Sequence, residues 1–153
     1  MVIGTHKISG LTIALAGLLG GAGVMHFVNP GFFDPLVPDW MPGSKRAVTY
    51  LSGAAELTCA GLVANPRTRR IGGWLSLLTF VAVYPANIQA ALDGGMKDLN
   101  PPYNSAAAAW IRLPFQFPLF WLAWKVATSR RPAPIDMIRP HLATSPTSRR
   151  NST

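Results

Sequence analysis

Apolar residues gather into four long runs separated by short polar segments: Ile8 to Val28, Ala47 to Ala64, Ile71 to Leu92 and Ala106 to Ala127. Each approaches the roughly 20 residues needed to cross a hydrocarbon core of about 30 Å, so the pattern predicts four transmembrane helices. The first run holds no charged residue, and the fourth holds only Arg112 and Lys125. The expected fold class is therefore an all-α integral membrane protein, a four-helix bundle occupying residues 1–127. Residues 128–153 are rich in Pro, Ser, Thr and Arg and too poor in apolar side chains to build a core, so a disordered basic cytoplasmic tail is expected there.

Composition agrees with a membrane protein: 49% of residues are hydrophobic, 13% charged, and the mean hydropathy is +0.24. A formal charge of +8 would suit nucleic-acid binding, but the Lys and Arg residues flank apolar runs and do not line one aromatic-studded face. They read instead as topology signals. The tight turn Asn65-Pro66-Arg67-Thr68-Arg69-Arg70 carries three arginines, which marks it as cytoplasmic by the positive-inside rule. Lys7, Lys125, Arg130 and Arg131 agree, placing both termini inside and the segments 29–46 and 93–105 outside. Trp40 and Tyr103 suit the outer interfacial belt. A cleavable signal is the rival reading of the N-terminus, but the apolar run continues to Val28, beyond the core of such a signal.

A single cysteine, Cys59, excludes an internal disulfide, a Cys-x-x-Cys pair and a multi-thiolate metal site. Neither a metal cluster nor haem is expected, since the other histidine near a span, His6, lies at the opposite membrane face from His26. Redox chemistry in this chain needs a bound cofactor or a partner protein.

The second run contains the only glutamate, Glu56, midway along its length. An ionisable group at that depth costs about 2.5–3.5 kcal/mol on insertion scales, so it is expected to face the bundle interior and find a partner. At helical spacing its face comprises Thr49, Ser52, Gly53, Glu56, Cys59, Ala60 and Val63, a small and polar stripe of the kind that meets another helix. Arg112 enters the fourth span to roughly 9 Å and Glu56 the second to roughly 13 Å, counting 1.5 Å per residue. A guanidinium fork spans that difference, so Arg112 is the expected partner of Glu56. Gln116 shares the face of Arg112; His26 lies at the outer end of the first span; Tyr84 and Asn87 lie on the third. Taken singly, each has a structural explanation: a register-fixing ion pair, a helix end, or packing between helices. Their convergence in the outer half suggests a site, with Glu56, Arg112 and His26 as catalytic candidates and Tyr84, Asn87, Gln116 and Phe115 as ligand-binding candidates. Pro85, Pro114 and Pro118 each remove a helix hydrogen bond beside this cluster, and Phe27, Phe115 and Phe117 offer walls for a flat ligand. Gly17 and Gly21 form a small-xxx-small pair expected to bring a second helix close.

Several short elements recur in a telling order: Gly23-Val24-Met25-His26-Phe27, the Pro-rich segment from Asn29 to Pro42, Ser52-Gly53 with Glu56, Asn65-Pro66 with Arg69-Arg70, Tyr84-Pro85-Ala86-Asn87, and Arg112-Leu113-Pro114-Phe115-Gln116. In these the chain resembles the DoxX-like family of small bacterial membrane proteins, over about Gly17 to Ala127. The resemblance implies a four-helix bundle in the bacterial cell (inner) membrane and an association with redox or oxidative-stress physiology. One branch of that wider family resembles a subunit of a thiosulfate:quinone oxidoreductase, and another is linked to complexes handling thiol stress.

Two functions of different class follow. In the first, the protein is the membrane subunit of a redox system that binds a quinone-type or other small amphipathic ligand in the outer half, Arg112, Asn87 or Tyr84 donating to a carbonyl and Glu56 or His26 relaying protons. In the second it is a non-enzymatic assembly or scaffold protein whose buried Glu56–Arg112 pair fixes helix register. A transporter is a weaker third reading, since no clear inverted repeat is present. The expected partners are the lipid bilayer, a redox protein and a second copy of the chain, with no nucleic acid.

Overall fold

A computed structural model describes residues 9–96 and 98–129; Lys7, His6 and the tail from residue 130 onward lie outside the described residues, as does the expectation of a disordered tail. Among the described residues the chain is all-helical. Helix α1 spans Gly10–Val28, α2 Pro30–Phe33, α3 Lys45–Ala64, α4 Arg69–Leu92 and α5 Ala106–Ala127, with a 3₁₀ turn at Asp34–Leu36 following α2.

Local chemistry sets these boundaries. Ser9, Ser44 and Ser105 each accept a hydrogen bond from a backbone N–H three residues on (Thr12, Ala47 and Ala108), which supplies a partner for an otherwise orphaned donor in the first turn of α1, α3 and α5. The α3–α4 turn is closed by Asn65, whose side-chain oxygen accepts from Arg67 N, and by Thr68, whose hydroxyl donates to the Leu62 carbonyl. The four long helices have 19–24 residues, roughly 29–36 Å of length. Three of them, α1, α3 and α4, are long and apolar enough to cross a membrane, the length and composition of a membrane protein. Helix α5 matches them in length, but Arg112, Gln116, Lys125 and two prolines dilute its apolar character. It remains an α-helix through Pro114 and Pro118, as α4 does through Pro85.

Packing is sequential around a ring: α1 lies on α3, α3 on α4, α4 on α5, and α5 returns to touch α1. Helices α3 and α5 therefore sit diagonally. The apolar core fills the half nearest the arginine turn, where Leu15, Leu19, Cys59, Val63, Phe80, Ala123 and Val126 meet. At that end α4 is wedged between its neighbours: a Cβ on Gly72 would lie 2.6 Å from Val63 N, and one on Gly73 2.5 Å from Ala127 N. Arg70 donates to the carbonyl of Ala127 and ties the end of α5 to the start of α4. Leu, Val, Ile, Phe and Trp side chains on all four long helices face outward, including Leu51, Leu78, Ile111, Phe115 and Trp121. Such a belt suits a lipid solvent better than water.

The small pair Gly17 and Gly21 does not make the helix contact expected of it. Both lie open, with no heavy atom within 4 Å of an added Cβ. The close approach of α1 to α3 is made nearer the C-terminal end of α1, by Gly23 and Gly53, where an added Cβ on either residue would lie within 3.1 Å of the other's carbonyl oxygen.

Candidate functional site

Opposite the sealed core, the half of the bundle away from the arginine turn is looser. Helix α3 presents the expected face, with Thr49, Gly53, Cys59 and Val63 buried and Ser52, Glu56 and Ala60 half-buried. Gly53 lets α1 come so near that His26 faces Glu56, their Nδ1 and Oε2 atoms 3.4 Å apart. His26 Nδ1 also lies 2.8 Å from the carbonyl of Ala22 one turn back. A carbonyl only accepts, so Nδ1 carries the proton, and in the neutral ring the lone pair resides on Nε2. The imidazole is clamped from the other side by Phe33, stacked at 3.7 Å between ring centroids. Glu56 Oε2 is buried and has no hydrogen-bond partner among the described residues.

These groups border a cavity of about 210 Å³ between α1, α3, α4 and the segment after α2. Its polar lining comes from His26, Glu56, Thr49, Ser52 and Asn87, and its apolar lining includes Phe33, Val37 and Met41. Asp34 fastens the segment over it: one carboxylate oxygen accepts from Arg46 Nε and Nη2, both at 2.9 Å, and the other from Thr49 Oγ1 at 2.7 Å. Outside this strap lies a more polar groove of about 480 Å³, bordered by Asp39, Trp40, Lys45, Asp93 and Asp98. Leu36, Val37 and Pro38 line both spaces and separate them. A hydrogen bond from Lys45 holds the Asp39 carboxyl below its usual range at the groove's rim.

Of the seven residues singled out in the sequence, His26, Glu56 and Asn87 converge on the inner cavity. Arg112 does not, and the expected Glu56–Arg112 pair is absent. The diagonal placement of α3 and α5 is the reason: depth along the two helices matches, but another helix pair intervenes. The Arg112 guanidinium instead donates to Met96 Sδ at 3.0 Å and lies over the Phe32 ring at 5.9 Å. Gln116 is buried and donates to the Phe80 carbonyl, joining α5 to α4. Tyr84 turns toward α5, edge-on to Phe117 and Phe120, because the 60° between it and Asn87 on α4 carries the two to different neighbours. Phe115 is exposed on the outer surface.

Sequence reasoning missed Phe33, Ser52's place in the lining, and the Asp34 clasp. One signal for the site was present: Gly23-x-x-His26 and Gly53-x-x-Glu56 put a glycine one helical turn before each partner, on the same face.

A family model described as a domain of unknown function (DUF8561) matches residues 15–127, which takes in all of these groups. No curated protein and no solved structure matches the chain.

Proposed function

The chain belongs to the DUF8561 family, a domain of unknown function, and from the geometry of its cavity we propose that it is a redox-associated membrane subunit that binds the head of a quinone-type amphipathic ligand in the cavity bordered by the adjacent His26 and Glu56. In this reading α5 is a fourth span, the arginine turn faces the cytoplasm, the cavity opens toward the outer side, and the membrane is the bacterial inner membrane. The resemblance to DoxX-like proteins supports the same physiology.

The observation that carries the reading is the unpartnered, buried Glu56 Oε2 beside a clamped imidazole in a small, mixed-polarity cavity. Ligand pockets for whole drug-sized molecules run about 300–1,000 Å³, so about 210 Å³ suits a single ring with its hydrocarbon tail left in lipid. The lining supplies what such a ring needs: donors in Ser52 and Asn87, an acceptor in Glu56, and apolar faces from Val37 and Met41. A quinone accepts two electrons, here from a partner redox protein, and two protons on reduction, and returns both on oxidation. Here the Glu56 carboxyl would exchange a proton with the ligand, His26 would hold one at Nδ1, and the strap from Asp34 to Pro38 would exclude bulk water while this happens. An assembly role built on a Glu56–Arg112 pair loses its basis, since Glu56 faces His26.

Purification from native membranes with mass spectrometry of bound small molecules tests this directly. Wild-type protein should carry about one quinone-type or phenolic lipid per chain, lost in Glu56→Gln and His26→Ala variants that remain folded. A folded wild-type bundle without such a molecule, or variants that keep it undiminished, would refute the reading.

A further inference from the structure

Arg112 is the one charged side chain expected at the site that the cavity leaves aside, and its surroundings are unusual. Its Cα lies seven positions beyond the cap Ser105, roughly 10 Å along the helix. Helical side chains lean toward the N-terminus, here the outer end, so the guanidinium is carried toward the membrane boundary. There it meets Met96, buried in the α4–α5 connection, and the ring of Phe32 from α2. A thioether is a weak acceptor, and a guanidinium has five N–H donors. No described carboxylate lies within ion-pair distance: Asp34 is taken by Arg46, Asp39 by Lys45, and Glu56 faces His26, while Asp93 accepts from Gln89. Arg112 is half-buried, and its Nε and Nη2 are not among the buried nitrogens left without a partner. Tyr103, half-exposed, packs edge-on to the same Phe32 ring at 5.5 Å.

We infer that Arg112, seated on Phe32 and Met96 with Tyr103 beside it, binds a phosphate oxyanion, namely the phosphodiester of a phospholipid headgroup in the outer leaflet. The chemistry is specific to this residue type: a planar fork meets two phosphate oxygens in parallel, and a lysine cannot. Phe32 and Met96 hold the fork in place without neutralising it, which leaves its charge for a ligand. Phe32 also touches Phe33, the clamp on His26, so a lipid seated here would brace the wall of the inner cavity. The inference rests on α5 lying in the bilayer as proposed, and not on the identity of the cavity's ligand.

Native mass spectrometry of protein released from nanodiscs tests it, using phosphatidylglycerol, a neutral galactolipid of matched acyl chains, and inorganic phosphate as competitors. Wild-type protein should retain one phosphatidylglycerol, with at least a tenfold preference over the galactolipid. Arg112→Gln should abolish that preference, Arg112→Lys should weaken it several-fold, and Glu56→Gln should leave it intact, which separates this site from the cavity. Competition by millimolar inorganic phosphate would assign the same oxyanion site to free phosphate and overturn the lipid assignment. Equal retention of galactolipid by the wild type overturns the inference even if Arg112→Gln proves unstable, as does undiminished phosphatidylglycerol on a folded Arg112→Gln protein.

Discussion

Replacing Gly53 with Ala probes the contact that brings His26 to Glu56. The new methyl carbon would lie 2.7 Å from His26 Cβ, 2.9 Å from Phe27 Cε2 and 3.1 Å from the Gly23 carbonyl oxygen. Two of these obstacles are backbone or the first side-chain atom, which no rotamer change can move, so α1 must withdraw from α3. Overpacking of this kind costs typically 1–3 kcal/mol, and a backbone-limited contact belongs at the upper end. Helix propensity returns up to about 1 kcal/mol for Gly→Ala, leaving a net loss of about 2 kcal/mol. Gly17→Ala is the internal control, since its methyl meets nothing within 4 Å and should be neutral or slightly stabilising. For a chain of this size about 2 kcal/mol corresponds to a Tm lower by roughly 4–8 °C. Thermal unfolding of both variants in the same detergent, followed by circular dichroism, reads the difference. Equal Tm values for the two variants, or a greater loss for Gly17→Ala, would refute the assignment of the α1–α3 contact to Gly23 and Gly53.

Other consequences are as direct. Asp34→Ala removes the acceptor for Arg46 and Thr49; with Arg46 solvent-exposed the loss should be about 1 kcal/mol, seen as roughly fivefold faster hydrogen exchange in the 33–38 segment while the long helices are unchanged. Phe33→Leu deletes a stack worth about 0.5–1.5 kcal/mol and should broaden the His26 imidazole resonances in NMR spectra of the folded protein; unchanged spectra would mean that the stack does not restrain the ring. Cys59, 3% exposed in the core, should react with a maleimide only as fast as the bundle opens; rapid labelling of the folded protein would contradict its placement.

The helices were legible because their signal is additive along the chain. Runs ending at Val28, Ala64, Leu92 and Ala127 end where the helices end, and the starts differ by at most two residues. The buried face of α3 was legible too, since small and polar residues repeat at helical spacing from Thr49 to Val63. The pairing of Glu56 was not. Counting residues gives depth in the bundle, but which helix stands opposite depends on the order of packing, and that order puts α1 beside α3 and α5 across the diagonal. Met96 and Phe32 could not be anticipated as the neighbours of Arg112, because they come from connecting segments whose path no periodicity fixes. The short helical turns within Pro30–Leu36 have too few residues to show a periodicity, and the prolines in their first turns are compatible with them.

Photoaffinity labelling with an azido-quinone in native membranes tests the central claim most directly. The account predicts labelling within the segments 33–41, 48–56 and 82–87 that line the cavity, suppressed by excess decylubiquinone and lost in Glu56→Gln. Labelling confined to the exposed faces of α5, or label in the cavity segments that excess quinone does not displace, would contradict it.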